Sequence, residues 1–337
     1  MNKRALPLVS VVIPMFNVGQ YIEECIESVL AQTFKNFEII CVDDGCTDDT
    51  LHKLARFSDP RIKLIQQTNR GLSGARNTGI LASRAMYVGL LDADDIWAKE
   101  KLALHINHLN NRSDVGVSYC PSLFINENSK SIGIGQYPKL KNISAKDVLC
   151  RNPVGNGSAP VIRRRLFKEV TLVSEKTGRK CIFDEDLRQS EDIELWLRIA
   201  LLGNWKFEGI PTPLTFYRVN DDGLSSIISK QYASWCLAIQ KNQKNHSSFF
   251  KRYLPLARAY QLRYLARRAI RSGEAWQAIK LVHKALLTHP KIVIEEPART
   301  LATYGCALLS LLPHNLYRML ENTVMRLLQN RSTQNYE

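Results

Sequence analysis

Residues 86–97 read MYVGLLDADDIW, and the change of character inside this stretch decides the fold. Tyr87 to Leu91 is apolar at nearly every position, the pattern of a short strand covered on both faces. It then breaks into Asp92, Asp94 and Asp95. Carboxylates packed this closely repel one another and are costly to desolvate, so such a cluster calls for a cation or strong donors beside it. Two readings follow: a divalent-metal site at a strand end, or a solvated turn in which Asp95 caps a helix beginning near Ala98.

Working outward, the same unit recurs. Leu8–Ile13 is apolar and stops at Pro14, and Ile22, Ile26, Val29 and Leu30 then fall at helical spacing. Phe37–Val42 runs into Asp43-Asp44-Gly45, Arg61–Ile65 into Asn69-Arg70-Gly71, and a helix is predicted over Leu72–Arg84. Alternation of this kind builds a parallel sheet with helices on both faces, in which ligands bind beyond the carboxyl ends of the strands. The conspicuous polar clusters, Phe16-Asn17, Asp43-Asp44, Asn69–Gly71 and Asp92–Asp95, all fall there. Neither GxGxxG nor GxxxxGK[ST] occurs, which removes the main support for dinucleotide-binding and P-loop readings.

From Val115 the strands shorten and the sheet is expected to become mixed, with a Gly/Asn-rich turn at Asn152–Ser158 and a strand at Ala159–Arg163. SEDIELWLRIALLG (190–203) reads as a helix with Glu191 and Asp192 in its first turn. Trp205–Phe207 and Leu214–Arg218 read as closing strands.

The chain of 337 residues carries a formal charge of +14, unevenly distributed. Lys+Arg against Asp+Glu gives 29 − 27 = +2 for residues 1–227 and 17 − 5 = +12 for residues 228–337. The two stretches read as a catalytic domain (1–227) and a basic α-helical region (228–337). In the latter, Leu262, Leu265, Gly273, Ala278, Val282, Ala285 and Pro290 fall at the offsets of one tetratricopeptide-like hairpin. A basic tail suits an anionic partner, membrane headgroups or nucleic acid, or is simply a solvated face. No zinc or RNA-recognition signature supports nucleic acid. Ala302, Cys306, Leu309 and Leu312 can share one helical face, flanked by Arg299, Arg318 and Arg326, which reads either as a membrane-surface element or as core. The eight cysteines form no CxxC, which fits a reducing cytoplasm. No signal peptide is expected at Met1–Pro7, and the expected location is the cytoplasm, peripherally at the inner face of the membrane.

Taken together, SVVIPMFN (10–17), SVLAQTFKNFEIICVDDGCTDDT (28–50), NRGLSGARNTGI (69–80), LLDADDIW (90–97) and SEDIELWLR (190–198) resemble the motifs of the family 2 glycosyltransferases, in order. The resemblance implies a GT-A fold, an α/β Rossmann-like architecture with a mixed central sheet, here followed by the helical appendage. It implies inverting transfer of a sugar from a nucleotide-diphosphate sugar, with a UDP-sugar the expected donor, to a glycan or lipid-linked acceptor, aided by Mn²⁺ or Mg²⁺. Asp44 would then meet the base, Asp92 the ribose or a metal-bound water, Asp94 the metal, and Asp192 would be the catalytic base, with adjacent Glu191 the alternative. Pro14, Phe16, Asn17, Arg76 and Arg218 are further candidates for donor contact, Arg218 closing with Ser225 or Ser226 from a loop. The family's usual Ser after DDG is Cys46 here, a weaker hydrogen-bonding group. A sugar nucleotidyltransferase would need a basic Gly-rich loop where Pro14–Asn17 stands without Lys or Arg. An inert domain acting as a scaffold through the helical tail would have no use for intact Asp92, Asp94 and Asp192.

Overall fold

The computed structural model describes residues 6–219 and 228–312. Ser225, Ser226, Arg318 and Arg326 lie outside the described residues.

The chain opens with β1 (Val9–Met15), α1 (Ile22–Leu30), β2 (Phe37–Asp43), α2 (Thr50–Leu54), β3 (Ile62–Gln66), α3 (Gly71–Ala82), β4 (Tyr87–Leu90), β5 (Ile96–Trp97) and α4 (Lys101–Asn111). It continues with β6 (Val115–Tyr119), β7 (Ser122–Ile125), β8 (Ser131–Gln136), α5 (Ala145–Cys150), β9 (Val161–Arg163), α6 (Arg164–Val170), β10 (Leu172–Val173), β11 (Lys180–Cys181), α7 (Glu191–Leu202), β12 (Lys206–Gly209) and β13 (Thr215–Arg218). The helices α8 (Ile228–Gln243), α9 (Ser247–Arg271), α10 (Ala275–Thr288), α11 (Ile292–Glu295) and α12 (Pro297–Leu309) follow.

A seven-stranded sheet runs β12-β6-β9-β4-β1-β2-β3. β1 pairs parallel with β2 and β4, and β9 is antiparallel to both β4 and β6, so the sheet is mixed as expected. A four-stranded sheet, β5-β13-β7-β8, stands beside it. The largely apolar runs of β1, β2 and β4 are buried at every position, with the two polar interruptions Ser10 and Glu38 hydrogen-bonded to each other. Gly79 lets α3 close onto the sheet: a Cβ there would lie 2.3 Å from Val12 Cγ1.

One expectation fails at Pro14. The strand does not break there but continues to Met15, with Pro14 buried opposite Val42. Proline is tolerated because β1's pairing with β4 ends at Val12, so the missing N–H is not needed on that side. Pro14 is therefore buried within the sheet, one residue before the strand's carboxyl end.

The chain forms two compact units, Met1–Ile227 with Ala233–His246, and Ile228–Tyr232 with Ser247–Glu337. The junction thus falls inside α8, where the sequence reading had put it just ahead. In the second unit α9 and α10 make a helical hairpin turned at Gly273 (φ +73°), and Leu265, Ala269, Ala278, Val282 and Ala307 pack in its core. Among the described residues no helix is long and apolar enough to cross a membrane.

Candidate active site

β4 delivers its acids as the sequence suggested, but they are held differently. The Asp92 N–H donates to Ser158 Oγ (2.9 Å), and the Ser158 hydroxyl donates to Asp95 Oδ2 (2.5 Å). Asp95 Oδ1 accepts the Arg218 N–H at 2.8 Å. Asp95 is fully buried and ties the acidic turn to β13. It caps no helix, since α4 starts at Lys101 behind Glu100 with no side-chain cap. Burial, then the charges of Asp94 and Asp92, push the Asp95 carboxyl well above the usual range. Asp94 is half-buried, and burial and the Asp92 charge push it up to about 6.

Arg76 is not a solvated helix residue. It is 2% exposed, donating from Nη2 to Asp92 Oδ1 (2.6 Å) and from Nη1 to Glu191 Oε1 (2.9 Å), with the guanidinium 5.3 Å from the Phe183 ring centre. Gly157 makes the room: a Cβ there would lie 2.2 Å from Nη2 and 2.6 Å from Asp92 Oδ2. Arg76 therefore joins the end of β4 to the first turn of α7, and both its terminal nitrogens are committed to carboxylates where contact with the donor had been expected.

Asp192 sits beside Glu191 under different control. Its Oδ1 accepts the Ile193 N–H (2.7 Å) and its Oδ2 accepts from Asn152 Nδ2 (3.0 Å). Asn152 is fixed in turn, since its Oδ1 takes the N–H groups of Val154 and Gly155. Glu191 is buried and bound to a guanidinium, whereas Asp192 is partly exposed and held by neutral donors. Burial raises both carboxyls, and with the adjacent Asp192 charge it brings Glu191 to about 7.

The segment leading to α7 is strapped from two sides. Asn77 Oδ1 accepts from the backbone N–H groups of Ile182 (3.0 Å) and Phe183 (2.8 Å), and Arg70 pairs with Glu185. From α8, Lys241 pairs with both Asp184 and Asp186, and Asn242 Nδ2 donates to Glu194 Oε1 (3.2 Å).

At the ends of β1 and β2, Asp43 Oδ1 takes the Gly45 and Cys46 N–H groups (3.1 and 2.8 Å). Asp44 accepts from the N–H groups of Arg70 and Gly71 (both 2.8 Å) and from Gln67 Nε2 (2.6 Å), so it anchors the start of α3. A carboxylate offers about four acceptor positions, which leaves Asp44 little more than one for a ligand. Asn17 adopts a left-handed conformation (φ 51°), and its Oδ1 accepts the Thr47 N–H at 2.8 Å, lacing the two strand ends together. Phe16, next to it, is 51% exposed.

Arg218 is a correction. Its Nε donates to Asp94 O (2.8 Å), Nη1 to Asn126 O (2.7 Å) and Glu127 O (3.1 Å), and Nη2 to Ser129 Oγ (3.0 Å) and Glu24 Oε2 (3.1 Å). The guanidinium also lies 4.3 Å from the Tyr21 ring centre. With its donors spent inside the protein it is a strut of the acidic turn, and no loop residue reaching over a diphosphate. Sequence reasoning missed Asn152 and Ser158 as named site residues, because nothing in a Gly/Asn-rich turn says which polar side chain faces inward.

The donor set suits a hard cation of the Mg²⁺ or Mn²⁺ class. Among the described residues no group of three or more His, Cys, Asp or Glu could hold a metal. The protein would therefore supply Asp94, with Asp92 alongside, and the substrate's phosphates the remaining oxygens.

Compared with known proteins, residues 10–171 match the family model described as Glycosyl transferase family 2. An uncharacterized glycosyltransferase of Haemophilus influenzae is 31% identical over 238 residues, 67% of this chain and 69% of that protein. The Escherichia coli UDP-Glc:alpha-D-GlcNAc-diphosphoundecaprenol beta-1,3-glucosyltransferase WfgD is 30% identical over 220 residues, 65% of this chain and 80% of that one. Among solved structures, the mannosyltransferase PcManGT from Pyrobaculum calidifontis, in complex with GDP-Man and Mn²⁺, superposes with a TM-score of 0.57 at 20% identity, covering 91% of this chain and 86% of that one. The fold expectation, a GT-A type α/β domain followed by helices, is met.

Proposed function

The chain belongs to glycosyltransferase family 2, and from that premise we propose that it transfers a sugar from a nucleotide-diphosphate donor, a UDP-sugar, to the hydroxyl of a glycan or lipid-linked acceptor, with inversion and with the help of a divalent cation. The observation that carries the reading is the convergence on Arg76 of Asp92 (2.6 Å), beside the proposed cation ligand Asp94, and Glu191 (2.9 Å), beside the proposed base Asp192.

In this reading Asp94, with Asp92 beside it, would hold the cation. The cation supplies charge neutralisation for the departing diphosphate. Asp192 takes the proton of the acceptor hydroxyl as that oxygen attacks the anomeric carbon opposite the leaving group, and displacement in one step inverts the centre. Its partial exposure and its raised affinity for a proton both suit a group that must reach a hydroxyl. Glu191 stays on Arg76 and sets the height of the helix turn. Asp44, Asn17 and Phe16 frame the base end.

The lipid-linked acceptor is supported by the likeness to WfgD, whose acceptor is a diphosphoundecaprenol-linked sugar. A cytoplasmic site, peripheral to the inner face of the membrane through residues 228–337, suits such an acceptor and the charge of +12 on that stretch (17 − 5). The absence of Lys and Arg from Pro14–Asn17 weighs against nucleotidyl transfer.

A thermal-shift panel of nucleotide sugars with Mn²⁺, followed by product analysis for the best donor, tests the reading. Asp192→Asn should keep donor and cation binding and turn over at least about a hundredfold more slowly. Asp94→Asn should lose cation-dependent transfer while its circular dichroism is unchanged. Equal loss of donor binding in Asp192→Asn, or full Mn²⁺-supported activity in Asp94→Asn, removes the corresponding assignment.

A further inference from the structure

The helix α12 is turned the wrong way for a core helix. It buries the small residues Thr300, Thr303 and Ala307, while Leu301, Leu308 and Leu309 point outward, Leu301 being 63% exposed. Leu301 and Leu308 fall on one face of α12, with Ala302 and Leu309 bordering it, so the outward side of the helix is apolar.

A second exposed face lies next to it. His283 of α10 meets Tyr304 of α12, Nε2 to the hydroxyl at 2.9 Å with ring centres 5.3 Å apart. Trp276 and Leu287 stand seven residues before and four after His283, on the same face of α10, and are 69% and 85% exposed. Leu301 and Leu308 stand three before and four after Tyr304. The His283–Tyr304 contact joins the helix faces that carry Trp276 and Leu287 on α10, with Lys280 between them, and Leu301 and Leu308 on α12. Exposed Lys280 and Lys284 share that side of α10, and Arg299, with its side chain 54% exposed, precedes Leu301.

An outward Trp and several Leu side chains rimmed by cations is the composition of an interfacial surface: the apolar groups enter the acyl boundary while Lys and Arg reach the headgroups. The second unit's charge, part of the +12 on residues 228–337, complements an anionic lipid surface and no neutral partner. We infer that the face formed by Trp276, Leu287, Leu301 and Leu308 docks on an anionic bilayer, with Lys280 and Lys284 on the headgroups. This extends the reading of a membrane-borne acceptor, but it is measured without donor or acceptor, so either can fail while the other stands.

The test is sedimentation of the full-length protein with vesicles of phosphatidylcholine alone or with one-third phosphatidylglycerol, together with its tryptophan emission. The wild type should sediment with the anionic vesicles, with blue-shifted emission, and several-fold less with the neutral ones. Leu301→Ser with Leu308→Ser should weaken binding by about tenfold or more, and Lys280→Glu with Lys284→Glu should weaken it and remove most of its salt dependence. Each variant's circular dichroism and melting temperature report that it is folded, and the charge variant keeps the test open where the Leu pair impairs folding. Wild type that ignores anionic vesicles overturns the inference, as does a Leu variant that binds like wild type. A wild-type dimer that the Leu pair converts to a monomer assigns the face to a second copy of the chain instead. A Leu pair that lowers Tm by several degrees, in a wild type that binds no vesicle, assigns it to packing within the protein.

Discussion

Arg76→Met tests the core of the site most directly. Met keeps much of the aliphatic bulk and removes both ion pairs, the 2.6 Å contact to Asp92 and the 2.9 Å contact to Glu191. Removing one partner of a buried pair costs about 3–5 kcal/mol, because the other charge is left in the interior. The two carboxylates escape unequally. The Asp92 side chain keeps 23% of its surface in solvent and can rehydrate, whereas Glu191 keeps 10%, so Glu191 dominates the loss. The sign of the pH dependence follows from Glu191, which burial and Asp192 already raise to about 7 against Arg76's opposing pull. Without the guanidinium it rises further, the folded state binds its proton more tightly than the unfolded chain, and stability is lost as pH climbs from the unfolded value near 4.3 through the new folded one. The gap between variant and wild type is therefore widest at pH 8 and narrows by about 1 kcal/mol or more by pH 6, where Glu191 is protonated in both proteins. Urea unfolding at the two pH values, with chelator present, measures it. A variant within about 1 kcal/mol of wild type at pH 8, or a gap that does not change with pH, refutes the assignment of Arg76 as the charge that holds these acids in place.

Lys241→Met leaves Asp184 and Asp186 without the cation that bridges them, so amide exchange across residues 182–190 should quicken and kcat fall while the donor KM holds; unchanged exchange in that segment refutes the strap. His105 is fully buried against Ser118 (2.7 Å), and burial, then the nearby Lys101 charge, hold its pKa well below the ordinary value. Its folded state resists the proton the unfolded chain takes up, so stability is present above about pH 6.5 and falls by just over 1 kcal/mol by pH 5.5. His105→Gln should flatten that decline in Tm, and an equally steep decline in the variant excludes His105 as its source.

The order of strands and helices through β4 was legible because β1, β2 and β4 are buried at every position and each strand, the more exposed β3 included, runs into a polar cluster, a signal that period and composition both carry. Asp92 and Asp94 stood out for the same reason, whereas Asp192, in the first turn of α7, was singled out through the family resemblance. What escaped was everything set by contacts across the chain. Nothing local distinguishes Asp95 as a buried tie from Asp95 as a helix cap. Pro14 looks like a strand end until the pairing of β1 with β4 is known to stop at Val12. Arg76 sits in a helix whose sequence does not reveal that Gly157, far along the chain, clears a space for its guanidinium. Arg218 was assigned to a ligand for want of any sign that the turn carrying Asn126 and Glu127 offers its carbonyls to it.

Arg218 also imposes an order on synthesis. Its contact with Asp94 spans 124 residues, and its backbone fastens Asp95 across 123. A ribosome adding about 5–20 residues per second needs roughly 6–25 s to make that stretch. For that interval β1 to β4 can pair while the acidic turn at their end has no strut, its carboxylates repelling one another in water. The β1–β4 part of the sheet can thus be made before the acidic turn is braced, so a chain that ends before residue 218 would carry those strands with the turn at Asp92–Asp95 lacking its strut.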